Sequence, residues 1–158
     1  MRLFLLRHGK AEPYTTPDEI RQLIDVGRAQ TAEIAEKHLT DIVWDAIWVS
    51  PFVRAQQTAQ IVLDKIKKAQ PDSRLKLTTV AGITPDDSPR KAMALLTGQE
   101  GKTILVVSHQ PLLGSFAGLL IHGNLQSALD IPTSGLIELK LSEIGLGQAE
   151  LIKTVWPS

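Results

Sequence analysis

Leu5-Leu6-Arg7-His8-Gly9-Lys10 is the stretch on which the reading of this chain turns. It closes an apolar run that begins at Leu3, and the run ends abruptly in a cation, an imidazole and a glycine. A short apolar run without alternation is the pattern of a strand buried on both faces. Open α/β sheets bind ligands beyond the carboxyl ends of such strands. Arg7, His8 and Gly9 therefore stand where the chemistry of such a sheet is done. Arginine offers a planar fork of donors. A neutral imidazole can act as a nucleophile, and glycine lets a ligand come close to the backbone. The trio suits a phosphoryl group.

Two further runs have the same ending. Ile104-Leu105-Val106-Val107 leads into Ser108-His109-Gln110-Pro111. Ala46-Ile47-Trp48-Val49 leads into Ser50-Pro51-Phe52-Val53-Arg54. In the second, Ser50 is placed to cap a helix and Pro51 suits its first position. That puts Arg54 in the first turn, where free amides already favour anions. Three strand ends carrying His and Arg groups can converge if the strands are neighbours.

A length of 158 residues with 43% apolar content predicts one soluble domain, residues 1–158, with a sizeable core. Seventeen basic residues balance seventeen acidic ones, which argues against a nucleic-acid partner. No apolar stretch is long enough to span a bilayer, so no membrane association is expected. The N-terminal run is too short for a secretory segment, which makes the cytoplasm the expected location. Without cysteine there is no thiolate chemistry. The histidines have neither an H-x-x-x-H spacing nor an acidic cluster beside them, so neither metal nor other cofactor is expected.

Strands are expected at Arg2 to Arg7, Ala46 to Val49, Leu75 to Val80 and Thr103 to Val107. A final hairpin is expected from Leu136 to Leu141 and Ala149 to Val155, turning through Gly145 and Gly147. Helices are expected from Val26 to His38, after Pro51, from Arg90 to Leu96 and from Leu112 to Ile121. Alternating strands and helices predict an α/β fold, a sheet layered between helices as a three-layer α/β/α sandwich. The terminal hairpin makes the sheet mixed, though mostly parallel.

Arg7-His8-Gly9, Ser50-Pro51-Phe52-Val53-Arg54-Ala55-Gln56-Gln57-Thr58 and Val107-Ser108-His109-Gln110-Pro111-Leu112 resemble the motifs of the histidine phosphatase superfamily, also called phosphoglycerate-mutase-like. The short length, Ile83-Thr84-Pro85 and Thr133-Ser134-Gly135 resemble its SixA-type phosphohistidine phosphatases. The resemblance implies that His8 is the nucleophile and becomes phosphorylated. It implies that Arg7 and Arg54 clamp the phosphoryl group, where charge spreads over oxygens in the transition state. It gives His109 the role of hydrogen bonding to that group. Gly9, Ser50, Gln110, Thr133 and Ser134 are candidate contacts to the phosphoryl oxygens, and Ser50 is equally accounted for as a helix cap. Lys10 is a candidate for substrate choice.

One departure bears on the substrate. Mutases and acid phosphatases of this superfamily carry a carboxylic acid that protonates an alkoxide leaving group. In the corresponding region this chain reads Ala81-Gly82-Ile83-Thr84-Pro85-Asp86-Asp87-Ser88, without the glutamate. Imidazole, with a pKa near ~6.5, can be protonated from solvent and leaves without such help. The expected substrate is therefore phosphohistidine on a partner protein, such as a histidine phosphotransfer domain, with phosphate or a similar oxyanion also entering the pocket. The alternatives are a small-molecule phosphomonoesterase, with Asp86 or Asp87 as the acid, and a module that binds phosphohistidine without hydrolysing it. The short chain leaves little for a lid, so an open, shallow pocket is expected.

Overall fold

The computed structural model describes residues 1–158. Its strands are β1 (Arg2–Arg7), β2 (Ala46–Val49), β3 (Leu77–Thr79), β4 (Thr103–Ser108), β5 (Leu136–Leu141) and β6 (Ala149–Val155). They form one six-stranded sheet in the order β3-β2-β4-β1-β5-β6. β1 runs parallel to β4, as does β2 to both β4 and β3. β5 is antiparallel to β1 and to β6. The sheet is thus mixed, and the terminal hairpin supplies the antiparallel pairing.

Four helices connect the strands: α1 (Asp25–His38), α2 (Val53–Ala69), α3 (Pro89–Ala94) and α4 (Leu112–His122). Alternation along the strands assigns each helix to a face. Phe4, Leu6, Ile47, Val49, Leu105 and Val107 pack with Ile34 and Ala35 of α1 and Ala55, Ala59, Val62 and Ile66 of α2. Leu3, Leu5, Ile104 and Val106 point the other way, onto Ala92 of α3 and Leu113, Phe116 and Leu120 of α4. The central strands are apolar at both parities because both faces are covered. This is the layered α/β fold expected of the pattern.

The topology places the site. After β1 the chain crosses by α1 on one face towards β2. After β4 it crosses by α4 on the opposite face towards β5. Neighbouring strands whose connections leave in opposite directions open a crevice at their carboxyl ends. β1 and β4 are such a pair, with Arg7 in register with Ser108. His8 and His109 are the next residue of each.

Several boundaries differ from the sequence expectation. α2 begins at Val53, and Phe52 is its extended N-cap residue. Ser50 therefore does not cap the helix, although its Oγ accepts the Phe52 N–H at 3.3 Å within the preceding turn. β3 keeps only three of the six expected residues, being an edge strand paired on one side alone. α3 is shifted to Pro89–Ala94, with Ser88 as its side-chain cap and a proline in its first turn. Gly123 ends α4 in the left-handed region at φ 78°, where a residue without Cβ is least strained.

Candidate active site

His8 follows β1, and its backbone N–H donates to Ser108 O at 3.0 Å, so the ladder continues into the loop. Its ring is held on both sides. Nδ1 lies 2.7 Å from Gly9 O, and a carbonyl only accepts, so Nδ1 carries the proton. Arg54 Nε donates to Nε2 at 3.2 Å, which requires a lone pair there. The ring is thus neutral, with Nε2 as its basic nitrogen. Burial is the main reason its pKa falls to about 3; Arg54, Arg7 and Arg21 add to it and the Gly9 bond opposes it.

The loop that carries His8 is clamped by two helices. Gly9 N–H donates to Thr58 Oγ1 at 3.0 Å, and Thr58 donates in turn to Arg54 O at 2.8 Å. Arg54 and Thr58 are one turn apart on α2, so one helix face presents the arginine and anchors the loop. On the other side α1 approaches the loop backbone. A Cβ at Gly9 would lie 2.8 Å from Gly27 O and 2.9 Å from Thr31 Oγ1. A Cβ at Gly27 would lie 2.2 Å from Lys10 O. The close approach that glycine permits here is between helix and loop.

His109 is fully buried, and its ring centroid lies 5.1 Å from that of His8. Nε2 is 2.6 Å from Ser50 Oγ. Ser50 already accepts the Phe52 N–H, so its hydroxyl proton is available to donate to Nε2. That arrangement leaves the proton of the imidazole on Nδ1. Nδ1 is buried and has no partner within the chain. Burial first, then His8 and the arginines, lowers the His109 pKa to about 2. Arg7 shows the same pattern: Nη1 donates to Ile131 O at 2.9 Å, while its buried Nε has no partner. Buried donors are almost always satisfied in native proteins, so two orphans beside the His8 ring mark the seat of an acceptor.

Arg7, His8 and Arg54 line a cavity of about 430 Å³ with Lys10, Tyr14, Asp18, Arg21, Asp86, Gln110 and Thr133. Its wall from Lys10 to Arg21 is an irregular segment with one 3₁₀ turn, Asp18–Ile20. The segment is pinned where Gln57 Oε1 accepts the Leu23 N–H at 2.8 Å. This loop folds along one edge of the cavity, which stays about half open to solvent.

The candidate contact residues divide. Thr133 and Gln110 line the cavity, but the Gln110 amide also donates to Leu129 O and accepts the Gly114 N–H. Gly9, Ser50 and Ser134 are not among the lining residues, and neither is the fully buried His109. Gly9 N–H is spent on Thr58, Ser50 on His109, and Ser134 Oγ on Thr31 at 2.9 Å. Ser134 adopts φ 59° while its N–H lies 3.1 Å from both Arg7 O and His8 O, so its backbone braces the loop. These three side chains or amides hold the site from behind. Asp86 lines the cavity, whereas Asp87 Oδ2 accepts from Thr84 N at 2.7 Å and Oγ1 at 2.6 Å and closes a turn.

Asp18, Arg21, Thr58 and Gly27 were not singled out from the sequence. Asp18 and Arg21 lie in an aperiodic stretch, where only the abundance of charge after the Arg-His-Gly motif could have flagged them. Thr58 was legible in principle from its i+4 spacing to Arg54. No helix is long and apolar enough to cross a membrane.

Comparison with known proteins shows what the chain is similar to. The model of the histidine phosphatase superfamily (branch 1) matches residues 3–78. The phosphohistidine phosphatase SixA homolog of Haemophilus influenzae is 32% identical over 129 residues, 76% of this chain and 77% of that protein. Phosphohistidine phosphatase SixA of Escherichia coli is 28% identical over 155 residues, 93% of this chain and 89% of that protein. The solved structure of the protein histidine phosphatase SixA complexed with tungstate has a TM-score of 0.85 at 26% identity, covering 99% of this chain and 97% of that one.

Proposed function

The chain belongs to the histidine phosphatase superfamily, and from that membership we propose that it hydrolyses phosphohistidine on a protein through a phosphorylated His8. The observation that carries the reading is the pair of unpartnered buried donors, Arg7 Nε and His109 Nδ1, beside an imidazole whose lone pair is on Nε2, where it accepts from Arg54. A phosphoryl group between them satisfies both donors and meets the nucleophile.

The steps follow from the donors. His8 Nε2 attacks phosphorus as the bond to the substrate imidazole breaks, and that imidazole takes its proton from solvent. Arg54 Nε leaves Nε2 and turns its N–H to a phosphoryl oxygen. Arg7 and Arg54 then face the oxygens on which transition-state charge accumulates. His109 donates through Nδ1, held in that tautomer by Ser50. Nδ1 of His8 keeps its proton on Gly9 O, so the ring attacks with its orientation fixed. Water then attacks the phosphorylated His8. The P–Nε2 bond breaks, inorganic phosphate forms, and His8 returns to its neutral state. A buried imidazole surrounded by arginines is a poor proton acceptor but remains unprotonated across physiological pH, as attack requires.

A small-molecule monoesterase is the second reading, because Asp86 lines the cavity and is placed to protonate an alkoxide. Comparing kcat/KM for a phosphohistidine-bearing protein with that for a panel of phosphate monoesters separates the two. The proposal expects the protein substrate to be strongly preferred and Asp86→Ala to change that reaction little. A preference for monoesters that Asp86→Ala abolishes transfers the case to the second reading. A histidine phosphotransfer domain is the class of partner that presents such a substrate on its surface, with the phosphorylated ring accessible to a cavity of this size.

A further inference from the structure

Asp18 is one of several charged groups at the cavity that take no part in the proposed steps. Asp18, on the exposed 3₁₀ turn of the cavity wall, divides its carboxylate between two arginines. Oδ2 lies 3.3 Å from Arg54 Nη2, and Oδ1 lies 3.0 Å from Arg21 Nε. Its backbone carbonyl accepts from Arg54 Nη1 at 2.6 Å. Each nitrogen of Arg54 thus has a partner, Nε on His8 and both terminal nitrogens on Asp18. Arg21 is itself buried, at 6% exposure. It donates to Glu12 O at 2.7 Å and lies 3.9 Å over the Tyr14 ring. Arg21 is therefore a fixed cation at the cavity wall, and Asp18 is bound between it and the phosphate clamp.

We propose that Asp18 is a resident anion with which an entering phosphoryl group must share Arg54, so that it sets how tightly the clamp holds phosphate and favours release of the product. The carboxylate is half-exposed and stands on the same guanidinium that the phosphoryl group uses. It lowers the positive potential of the cavity in every state of the cycle. Its backbone carbonyl, which no side-chain substitution removes, keeps one of its two links to Arg54. Asp18 acts through Arg54 and is a positioning residue. Arg21 has the opposite effect on the field, because it contributes a positive charge and draws part of the Asp18 carboxylate away from Arg54. The proposal rests on the assignment of the cavity as a phosphoryl site.

The two members of this ion pair provide a test by sign. Breaking the Asp18–Arg21 bridge from either side would loosen a mere scaffold in the same way, so both variants would bind anions less well. A resident anion predicts opposite outcomes. Binding of inorganic phosphate is measured by titration calorimetry for the wild type, Asp18→Asn, Asp18→Ser and Arg21→Gln. Loss of one negative charge about 4 Å away, screened as in bulk water, corresponds to about a fivefold change in affinity. Asp18→Asn and Asp18→Ser are expected to bind phosphate tighter by about that factor, and Arg21→Gln to bind it more weakly. In steady state, the Asp18 variants lower KM and the inhibition constant for phosphate. Weaker or unchanged phosphate binding in both Asp18 variants overturns the proposal. A wild type that binds neither phosphate nor tungstate overturns the assignment of the site itself, and this inference with it.

Discussion

Replacing Gly27 by alanine should damage the site from the face of helix α1 that packs on the His8 loop. The new Cβ would lie 2.2 Å from Lys10 O, 2.7 Å from Lys10 N and 3.0 Å from Lys10 C. Ordinary carbon contacts begin near ~3.5 Å, so relief requires about 1 Å of movement between helix and loop. All three atoms belong to the backbone two residues beyond His8, so rotamer changes cannot absorb the overlap. Alanine improves helix propensity by about 1 kcal/mol, which opposes the effect. Overpacking costs about 1–3 kcal/mol and outweighs it. Net destabilisation of up to about 2 kcal/mol corresponds to a Tm lower by up to roughly 8 °C in a chain of this size. The larger effect falls on turnover, because about 1 Å of misplacement near reacting atoms costs about a hundredfold. Gly82→Ala is the control, since its Cβ meets only Leu95 Cδ1 at 4.0 Å. Thermal melts and kcat/KM on a phosphohistidine protein read both quantities. A Gly27→Ala variant with the Tm and kcat/KM of the Gly82→Ala control refutes the tight helix–loop packing as the device that positions His8.

Three other outcomes are expected. His8 and His109 are neutral in the fold, with pKa values near 3 and 2 against an unfolded value near ~6.5. Below that unfolded value the unfolded chain binds more protons, so the stability their neutrality provides is intact above about pH 6.5 and is lost as pH falls towards 3, at about 1.4 kcal/mol per pH unit for each ring. Urea unfolding at several pH values should give His109→Gln a shallower slope by about that amount, and an unchanged slope contradicts the buried neutral assignment. Ser50→Ala removes the hydroxyl that fixes the His109 tautomer, and kcat should fall about tenfold or more while KM for the protein substrate changes little; stopped-flow turnover checks this. Chelators should leave the rate unchanged, because arginines supply the charge that a cation provides elsewhere, and a rate restored only by a divalent ion would contradict it.

The parts of the molecule legible in the sequence are those governed by periodicity or by a strand end. The runs at Leu3, Ala46 and Ile104 predict three buried strands whose ends converge if they are neighbours, and the structure pairs β1 with β4 and β4 with β2. Arg7, His8 and Arg54 reach one cavity because their positions follow from strand ends and a helix start. The reach of side chains was not legible. Ser50, Gly9 and Ser134 sit beside the motif in sequence, yet each is turned to a partner behind the site. Proximity along the chain cannot distinguish a group that faces a ligand from one that supports its neighbour. Asp18 and Arg21 were missed because the stretch from Lys10 to Leu23 has no periodic pattern and is held by long-range bonds to Gln57 and Arg54. α2 starts two residues later than expected because Ser-Pro is a cap signal that a turn used instead.

The central claim is that the phosphoryl group passes through His8. A protein labelled with radioactive phosphohistidine is mixed with the enzyme, and the reaction is quenched in alkali within the first turnover. The account predicts transient label on His8 of the wild type, stable to alkali and lost in acid. It predicts no label and no turnover in a folded His8→Ala variant. Turnover that survives in His8→Ala, or a wild-type first turnover in which phosphate appears without label ever reaching the enzyme, contradicts it.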